Sequence, residues 1–173
     1  MSVWGSFRPA AGWTIHAAVT AKGLCRLNMA AKTREFLSEL AEAFPGVEWR
    51  RDDGHPLIRE TARQLEEYFK GERTRFDIPL DLRGTPFQLK VWQALRRIPY
   101  GETRSYGELA SAVGQPKACR AVGGANGHNP VGIIVPCHRV IAASGGLGGF
   151  GCGLAYKRKL LDLEAKGGDT PVG

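Results

Sequence analysis

Residues 131–153 read VGIIVPCHRVIAASGGLGGFGCG, and this stretch decides the fold of the second half of the chain. It begins with an apolar run that ends at Cys137 and His138, and it closes on a loop with six glycines in the nine residues from 145 to 153. Between residues 121 and 156 the only formally charged side chain is Arg139, although 24% of the chain is charged. So apolar a segment is typical of a protein core. Core packing does not need a thiol beside an imidazole, so the stretch also indicates a reactive site.

The chemistry available to Cys137 is that of a nucleophile. A thiol attacks as its thiolate, and an apolar setting raises the pKa of a thiol above its ordinary value of about 8.5. A nucleophilic Cys137 therefore needs a base, and His138 is the imidazole next to it in sequence. Neighbouring side chains of an extended segment point in opposite directions, so contact between the two requires a bend or a bridging water.

The positive charge of the chain is concentrated in its second half. Residues 1–81 contain 12 Lys and Arg against 12 Asp and Glu, whereas residues 82–173 contain 12 against 5, so the whole net charge of +7 lies after residue 81. A basic half of this kind is typical of proteins that bind the phosphate backbone of nucleic acids. The alternative is that the positive charge only makes the surface soluble and binds no nucleic acid.

Other features of the composition exclude further classes of protein. A chain of 173 residues can bury a core as one domain or as two small ones, and no stretch approaches the ~20 apolar residues of a membrane span. We therefore expect a soluble, cytoplasmic protein without a membrane partner. The four cysteines form no Cys-x-x-Cys pair, which predicts reduced thiols and neither a disulfide framework nor a metal site.

The first part of the chain predicts a small α/β domain over residues 1–81. Residues 13–29 have the β-branched and apolar composition of two strands around a glycine turn, which predicts an antiparallel hairpin. Residues 33–44 and 56–71 have the apolar spacing of helices that pack one face on a sheet. Residues 78–86 contain two prolines and a glycine where the charge balance changes, so we place the domain boundary there, after residue 81.

Residues 82–167 predict a second, mostly helical domain, and residues 168–173 a flexible tail. Helices are indicated over residues 86–98, 105–113, 117–127 and 154–165. The two middle helices are separated by Gly114-Gln115-Pro116, an arrangement typical of the helix-turn-helix of winged-helix-like DNA-binding domains. The predicted fold class is thus an α/β unit followed by an α unit. An αα-hairpin without a ligand remains the alternative for the helix pair.

The second helix of this pair offers few side chains for reading base edges. Recognition in the major groove needs several long polar side chains, yet Lys117 and Arg120 are the prominent polar residues among alanines and glycines. Small residues such as Ala121 and Gly123 permit a close approach to DNA. The helix is therefore predicted to bind through backbone contacts and shape, with Arg120 long enough to enter the base stack.

Four segments of the second half resemble one family of DNA-repair proteins. In chain order they are SYGELA (105–110), RAVGGA (120–125), IVPCHRV (134–140) and KRKLLDLE (157–164), and Asn129-Pro130 precedes the third. In order and spacing they resemble the O6-alkylguanine-DNA alkyltransferases, also called methylated-DNA–protein-cysteine methyltransferases. The resemblance is strong over residues 82–165. Over residues 1–81 it rests only on the hairpin-and-helix pattern.

The resemblance implies a reaction and its main participants. An alkyl group of O6-alkylguanine in double-stranded DNA passes to Cys137 once per molecule, without a metal or a diffusible cofactor. His138 takes the thiol proton through a water, Glu164 orients His138, and Asn129 holds the turn before the active-site strand. By spacing, Glu164 also shares an inward helix face with Leu160.

The resemblance also implies which residues meet DNA. Tyr106 crowds the target phosphate and helps to protonate the departing guanine, and Arg120 fills the space left by the flipped base. Flipping is required because a protein thiol cannot reach a purine substituent inside a stacked duplex. Further expected contacts are Lys117, Ala121 and Gly123 with DNA, and a substrate pocket of Val135, Pro136, Leu147, Gly148, Phe150, Gly151 and Cys152. We expect a monomer, with cooperative binding along DNA left open.

Two other functional classes explain part of the sequence. A module that binds DNA lesions without chemistry needs only the basic half and the helix pair, and it leaves Cys137 unused. A cysteine hydrolase built on Cys137 and His138 leaves the charge distribution and the helix pair unexplained. The mass of the protein after incubation with methylated DNA separates these classes, because only transfer adds a methyl group to the chain.

Overall fold

In the computed structural model, residues 2–29, 32–146 and 154–168 are described. The chain divides into two units, Met1–Leu82 and Arg83–Gly173, and this division falls one residue after the boundary suggested by charge and proline content. The first unit is built on a sheet and the second on helices, which confirms the predicted fold class. No helix in the described ranges is long and apolar enough to cross a membrane.

A four-stranded sheet forms the centre of the first unit. Its strands are β1 (Val3–Phe7), β2 (Ile15–Thr20), β3 (Gly23–Asn28) and β4 (Arg50–Arg51), in the order β3-β2-β1-β4. The predicted hairpin is β2 and β3, which pair antiparallel. The sheet is larger than that hairpin, because β1 pairs antiparallel with β2 and parallel with β4. The first unit therefore has a mixed sheet where the sequence predicted only an antiparallel one.

Two helices of the first unit bury their apolar faces. They are α1 (Thr33–Ala43) and α2 (Pro56–Phe69), both at the predicted positions. Phe36 and Leu40 of α1 belong to a buried cluster with Trp4 of β1. Proline stands at the start of α2, where a backbone N–H has no helical partner, and His55 Nδ1 accepts from the N–H of Leu57.

All four predicted helices of the second unit are present. They are α3 (Pro86–Leu95), α4 (Tyr106–Ala112), α5 (Cys119–Gly127) and α6 (Leu154–Gly168). Gly114, with φ of 78°, makes the turn between α4 and α5, and Leu109 and Val113 are buried as the helix-turn-helix pattern requires. The indole Nε1 of Trp92 in α3 donates to the carbonyl of Ala125 in α5 over 2.9 Å, which ties these helices together.

The apolar run before Cys137 is a tight turn and not the strand that we expected. Its backbone closes with a hydrogen bond of 3.0 Å from the N–H of Val135 to the carbonyl of Val131. Ile133 has a φ of 71°, in the left-handed region that β-branched residues rarely adopt. A short 3₁₀ helix, Cys137–Arg139, follows, and Val140–Ile141 (β6) then pairs in parallel with Arg104–Ser105 (β5). The apolar composition therefore reflects a buried turn.

Candidate active site

Cys137 begins the 3₁₀ helix and is buried, with 5% of its surface exposed. Three residues per turn separate consecutive side chains by about 120°, whereas an extended strand would point them in opposite directions. The 3₁₀ turn thus places a bend between Cys137 and His138. Pro136, which precedes the turn, and Val135 are buried beside it.

Glu164 of α6 forms hydrogen bonds with His138 and Arg139, the two residues that follow Cys137. Its Oε2 lies 2.6 Å from Nε2 of His138. Nε of Arg139 donates to Oε1 over 2.8 Å, and Nη2 donates to Oε2 over 3.1 Å. All three side chains are buried, and Nη1 of Arg139 donates to the carbonyl of Ile98 over 2.7 Å. The predicted pairing of Glu164 with His138 is therefore present, and it includes an arginine that sequence reasoning did not assign to the site.

The charges of this cluster determine which atom of His138 can accept a proton. Burial raises the pKa of Glu164, but the hydrogen bond from His138 and the hydrogen bonds and positive charge of Arg139 outweigh it and hold this pKa well below its usual range. Burial lowers the pKa of His138, and Glu164 restores only part of that loss. We therefore assign an ionised Glu164, kept so by the permanent charge of Arg139, and a neutral imidazole.

An ionised carboxylate accepts, so the proton of the neutral imidazole is assigned to Nε2. Nδ1 then carries the lone pair. It is buried and has no hydrogen-bond partner among the described residues. The arrangement leaves one basic atom, beside Cys137 in sequence, available to take a proton.

Asn129 spans the turn that leads to Cys137. Its Nδ2 donates to the carbonyl of Val135 over 2.7 Å, and its Oδ1 accepts from the N–H of Val131 over 3.0 Å. These two bonds bracket Ile133, whose left-handed backbone costs on the order of 1–3 kcal/mol. Asn129 therefore stabilises the strained turn, as its predicted place before the active-site segment suggested.

Lys157 and Tyr106 lie close enough to Cys137 to interact with its charge. Burial lowers the pKa of Lys157, and the negative charge of Cys137 offsets only part of this effect. The pKa of Tyr106 is raised, mainly by burial and further by the charge of Cys137. Nζ of Lys157 donates to the carbonyl of Val140 over 2.5 Å and lies 6.0 Å from the centre of the Tyr106 ring. Sequence reasoning missed Lys157, although it shares with Leu160 and Glu164 the spacing of one helix face.

The residues predicted to meet DNA lie around the start and middle of α5. Lys117, Arg120 and Ala121 are exposed. Gly123 is half-buried, and a Cβ placed on it would lie at an ordinary contact distance, 3.8 Å, from the Tyr106 ring. The exposed positions fit a surface that contacts an extended partner.

Five predicted pocket residues lie outside the described ranges, namely Leu147, Gly148, Phe150, Gly151 and Cys152. Within the described part of the chain, no three His, Cys, Asp or Glu side chains form a group that could hold a metal ion. The described site therefore consists of the 3₁₀ turn, the preceding turn, and the side chains that α4, α5 and α6 direct at them.

Two curated relatives are similar to this chain over most of their length. A methylated-DNA–protein-cysteine methyltransferase of Mycobacterium tuberculosis is 67% identical over 116 residues, which cover 67% of this chain and 69% of that protein. The constitutive methylated-DNA–protein-cysteine methyltransferase of Bacillus subtilis is 56% identical over 110 residues, covering 63% of this chain and 67% of that protein.

Solved structures match the fold over nearly its whole length. The crystal structure of Mycobacterium tuberculosis OGT in complex with DNA has a TM-score of 0.82 at 47% identity, and the match covers 95% of this chain and 94% of that one. The O6-methylguanine-DNA methyltransferase of Pyrococcus kodakaraensis has a TM-score of 0.66 at 27% identity, with coverage of 95% and 99%.

Family models match both units. Residues 10–82 match the ribonuclease-like domain of 6-O-methylguanine DNA methyltransferase, and residues 86–166 match the DNA binding domain of the same family. The second match includes the 3₁₀ turn with Cys137 and the whole Glu164 cluster. The sequence, the fold and these matches together show that the chain belongs to the 6-O-methylguanine DNA methyltransferase family.

Proposed function

We propose that this protein repairs DNA by transferring the alkyl group of O6-alkylguanine in double-stranded DNA to Sγ of Cys137, once per molecule. Family membership supports the reaction. The observation that carries the assignment to Cys137 is the bond of 2.6 Å between His138 and Glu164, one residue beyond a buried thiol. A buried carboxylate that orients a neutral imidazole beside a thiol is the arrangement that activates a cysteine nucleophile.

The reaction begins with the removal of the thiol proton. That proton passes through one water to Nδ1 of His138, whose Nε2–H stays bound to Glu164. The imidazolium that forms is stabilised by the adjacent carboxylate, as in other enzymes whose histidine base is oriented by a carboxylate. Lys157, which interacts with the charge of Cys137, favours the thiolate in the same step.

The thiolate then displaces guanine in line. A sulfur–carbon bond forms at the alkyl carbon, the bond from that carbon to O6 breaks, and the electron pair returns to the purine. Tyr106 supplies a proton to the departing guanine, which restores the normal base. The thioether on Cys137 has no bond that water cleaves readily, so each molecule acts once and needs no cofactor.

DNA is held by the helix pair α4 and α5. Lys117, Ala121 and Gly123 approach the backbone, and Arg120 occupies the space from which the target base has flipped. A crystal structure of a 47% identical relative in complex with DNA supports DNA as the partner. We further propose that the protein acts as a monomer in the cytoplasm.

Intact-mass measurement tests this function. The protein is incubated with duplex DNA that contains O6-methylguanine, and with the same duplex containing guanine as a control. Transfer predicts a mass increase of one methyl group with the first duplex only. An unchanged mass together with tight binding to the methylated duplex would instead support a lesion-binding module, and an unchanged mass with turnover of a simple ester would support a cysteine hydrolase.

A further inference from the structure

A second asparagine contacts the active-site turn, and the reaction described above does not use it. Asn126 lies in the last turn of α5 with 3% of its surface exposed. Its Nδ2 donates to the carbonyl of Cys137 itself over 3.4 Å. Nδ2 of Asn129 donates to the carbonyl of Val135. Two amides three residues apart thus hold two carbonyls that flank Pro136.

The bond from Asn126 is not needed to satisfy the backbone. The carbonyl of Cys137 also accepts from the N–H of Val140, which closes the 3₁₀ turn. Without the asparagine amide, this carbonyl would still have a hydrogen bond. The contribution of Asn126 is therefore a second anchor on a peptide group that is already paired.

The amide oxygen of Asn126, Oδ1, lowers the stability of the fold. Oδ1 is buried and has no hydrogen-bond partner among the described residues. A buried acceptor without a partner lowers stability, and an apolar side chain of similar shape would avoid that cost. The amide cannot be reversed to remove the problem, because Oδ1 would then face the carbonyl oxygen of Cys137 and two acceptors would repel.

Asn126 lowers stability and also holds the backbone of the nucleophile, so we expect that its contribution is to the reaction. We propose that Asn126 is a positioning residue that fixes the peptide of Cys137 relative to α5; this inference rests on the proposed function. Because Trp92 ties the same turn of α5 to α3, the anchor is rigid. The thiol is thereby held in line with an alkyl carbon presented by DNA docked on α5. Small displacements of a reacting group cost large factors in rate.

The test compares Asn126→Leu, which keeps approximate shape and removes the donor, with Asn126→Ala, which removes the donor without adding bulk if leucine disturbs folding. Asn28→Ala is the matched control, because Asn28 Nδ2 makes a bond of the same length, 3.4 Å, to Glu39 in the first unit. For each protein we would measure the single-turnover methyl-transfer rate at saturating methylated duplex, its pH dependence, the affinity for the duplex, and the melting temperature.

We expect the transfer rate of both Asn126 variants to fall by about tenfold or more. The duplex affinity and the midpoint of the pH profile should be unchanged in both variants. The melting temperature of Asn126→Leu should be equal to or above that of the wild type, because leucine keeps the volume and removes the unpaired acceptor. The Asn28 variant should transfer at the wild-type rate. This combination separates positioning from a structural role, which would lower the melting temperature together with the rate.

Two results would overturn the inference while leaving the proposed function intact. One is an unchanged transfer rate in the Asn126 variants. The other is a slower rate that comes with a lower melting temperature in both variants, which would assign Asn126 to folding alone. If the wild-type protein takes up no methyl group, the proposed function fails first and this inference fails with it.

Discussion

Glu164 meets two requirements at once in the buried cluster behind Cys137. It orients His138 so that Nδ1 is the basic atom, and it balances the charge of Arg139, which is 7% exposed. An arginine buried without a carboxylate is strongly destabilising. In the proposed reaction Glu164 prepares the base, and the fold also needs Glu164 beside Arg139, so its substitution should affect both rate and stability.

Replacing Glu164 with glutamine should slow transfer by about 10²–10⁴-fold. The amide can donate to Nε2 of His138, which moves the imidazole proton to Nδ1 and removes the base. The free energy of unfolding should also fall by about 3 kcal/mol, because Arg139 loses its counter-charge. Denaturant unfolding and single-turnover kinetics measure the two effects. Asp162→Asn, an exposed acid on the same helix, is the control, and equal behaviour of the two variants would contradict the assignment.

The protonation of His138 gives a second prediction at this scale. Because burial lowers its pKa from 6.5, the ring should stay neutral in the folded protein below pH 6.5, whereas the unfolded chain binds the proton there. Its contribution to stability is thus present above pH 6.5 and is lost as the pH falls through the folded-state value. NMR titration of the ring, assigned with His138→Gln, should give a midpoint below 6.5, and a midpoint at or above 6.5 would refute the neutral base.

Among the secondary-structure elements, the spacing of apolar residues predicted the helices, whereas strands β1 and β4 of the sheet were not predicted. The apolar face of each helix follows from residues three and four apart in the sequence, so local spacing was sufficient to predict the helices. Strand β1 was missed although its main partner, β2, follows it in the chain, and its second partner, Arg50–Arg51, lies far along the chain, where no local pattern reports a pairing. The apolar run at 131–135 was assigned to a strand because composition alone does not reveal that Asn129 bonds across it and that Ile133 turns left-handed.

The same distinction applies to the site. Cys137, His138 and Glu164 were predicted because family motifs contain them, and the structure brings His138 and Glu164 within hydrogen-bond distance of each other. Arg139 was visible as the only charge in an apolar stretch, which was a signal that it is buried with a partner. Asn126 gave no signal, since its contact with the carbonyl of Cys137 depends on the three-dimensional approach of α5 to the 3₁₀ turn.

Helix α5 carries a prediction about Arg120. Arg120→Ala should slow single-turnover repair of duplex DNA at saturating protein, with little effect on a free O6-methylguanine base, because only the duplex must lose base stacking, a cost of a few kcal/mol. Lys117→Ala is the control; it should weaken affinity but leave the saturated rate unchanged. If Arg120→Ala behaves in the same way as Lys117→Ala, Arg120 is a backbone contact and not the residue that fills the vacated stack.

Across the whole molecule, charge and chemistry are found in the same half of the chain. The net charge of +7 lies entirely after residue 81, in the part that contains α5 and Cys137. Residues 1–81 are neutral as a set, so the first unit should contribute little to electrostatic attraction. The basic half should therefore account for most of the salt dependence of DNA binding.

Affinity for unmodified duplex DNA should fall steeply with salt, with a log–log slope of about −0.9 for each phosphate neutralised. Fluorescence anisotropy at several salt concentrations measures the slope. The variant Lys117→Ala should make the slope shallower by about one phosphate contact. A slope near zero for the wild-type protein would mean that the positive charge of the second half does not contact the DNA backbone.

Peptide mapping by tandem mass spectrometry tests whether Cys137 accepts the alkyl group. The protein is reacted with excess duplex containing O6-methylguanine, then digested and sequenced, with Cys137→Ser treated in parallel. We expect one methyl group per chain, on the sulfur of Cys137, with unmodified guanine left in the DNA and no methylation of the serine variant. A methyl group on Cys25, Cys119 or Cys152, or transfer by Cys137→Ser at the wild-type rate, would contradict it.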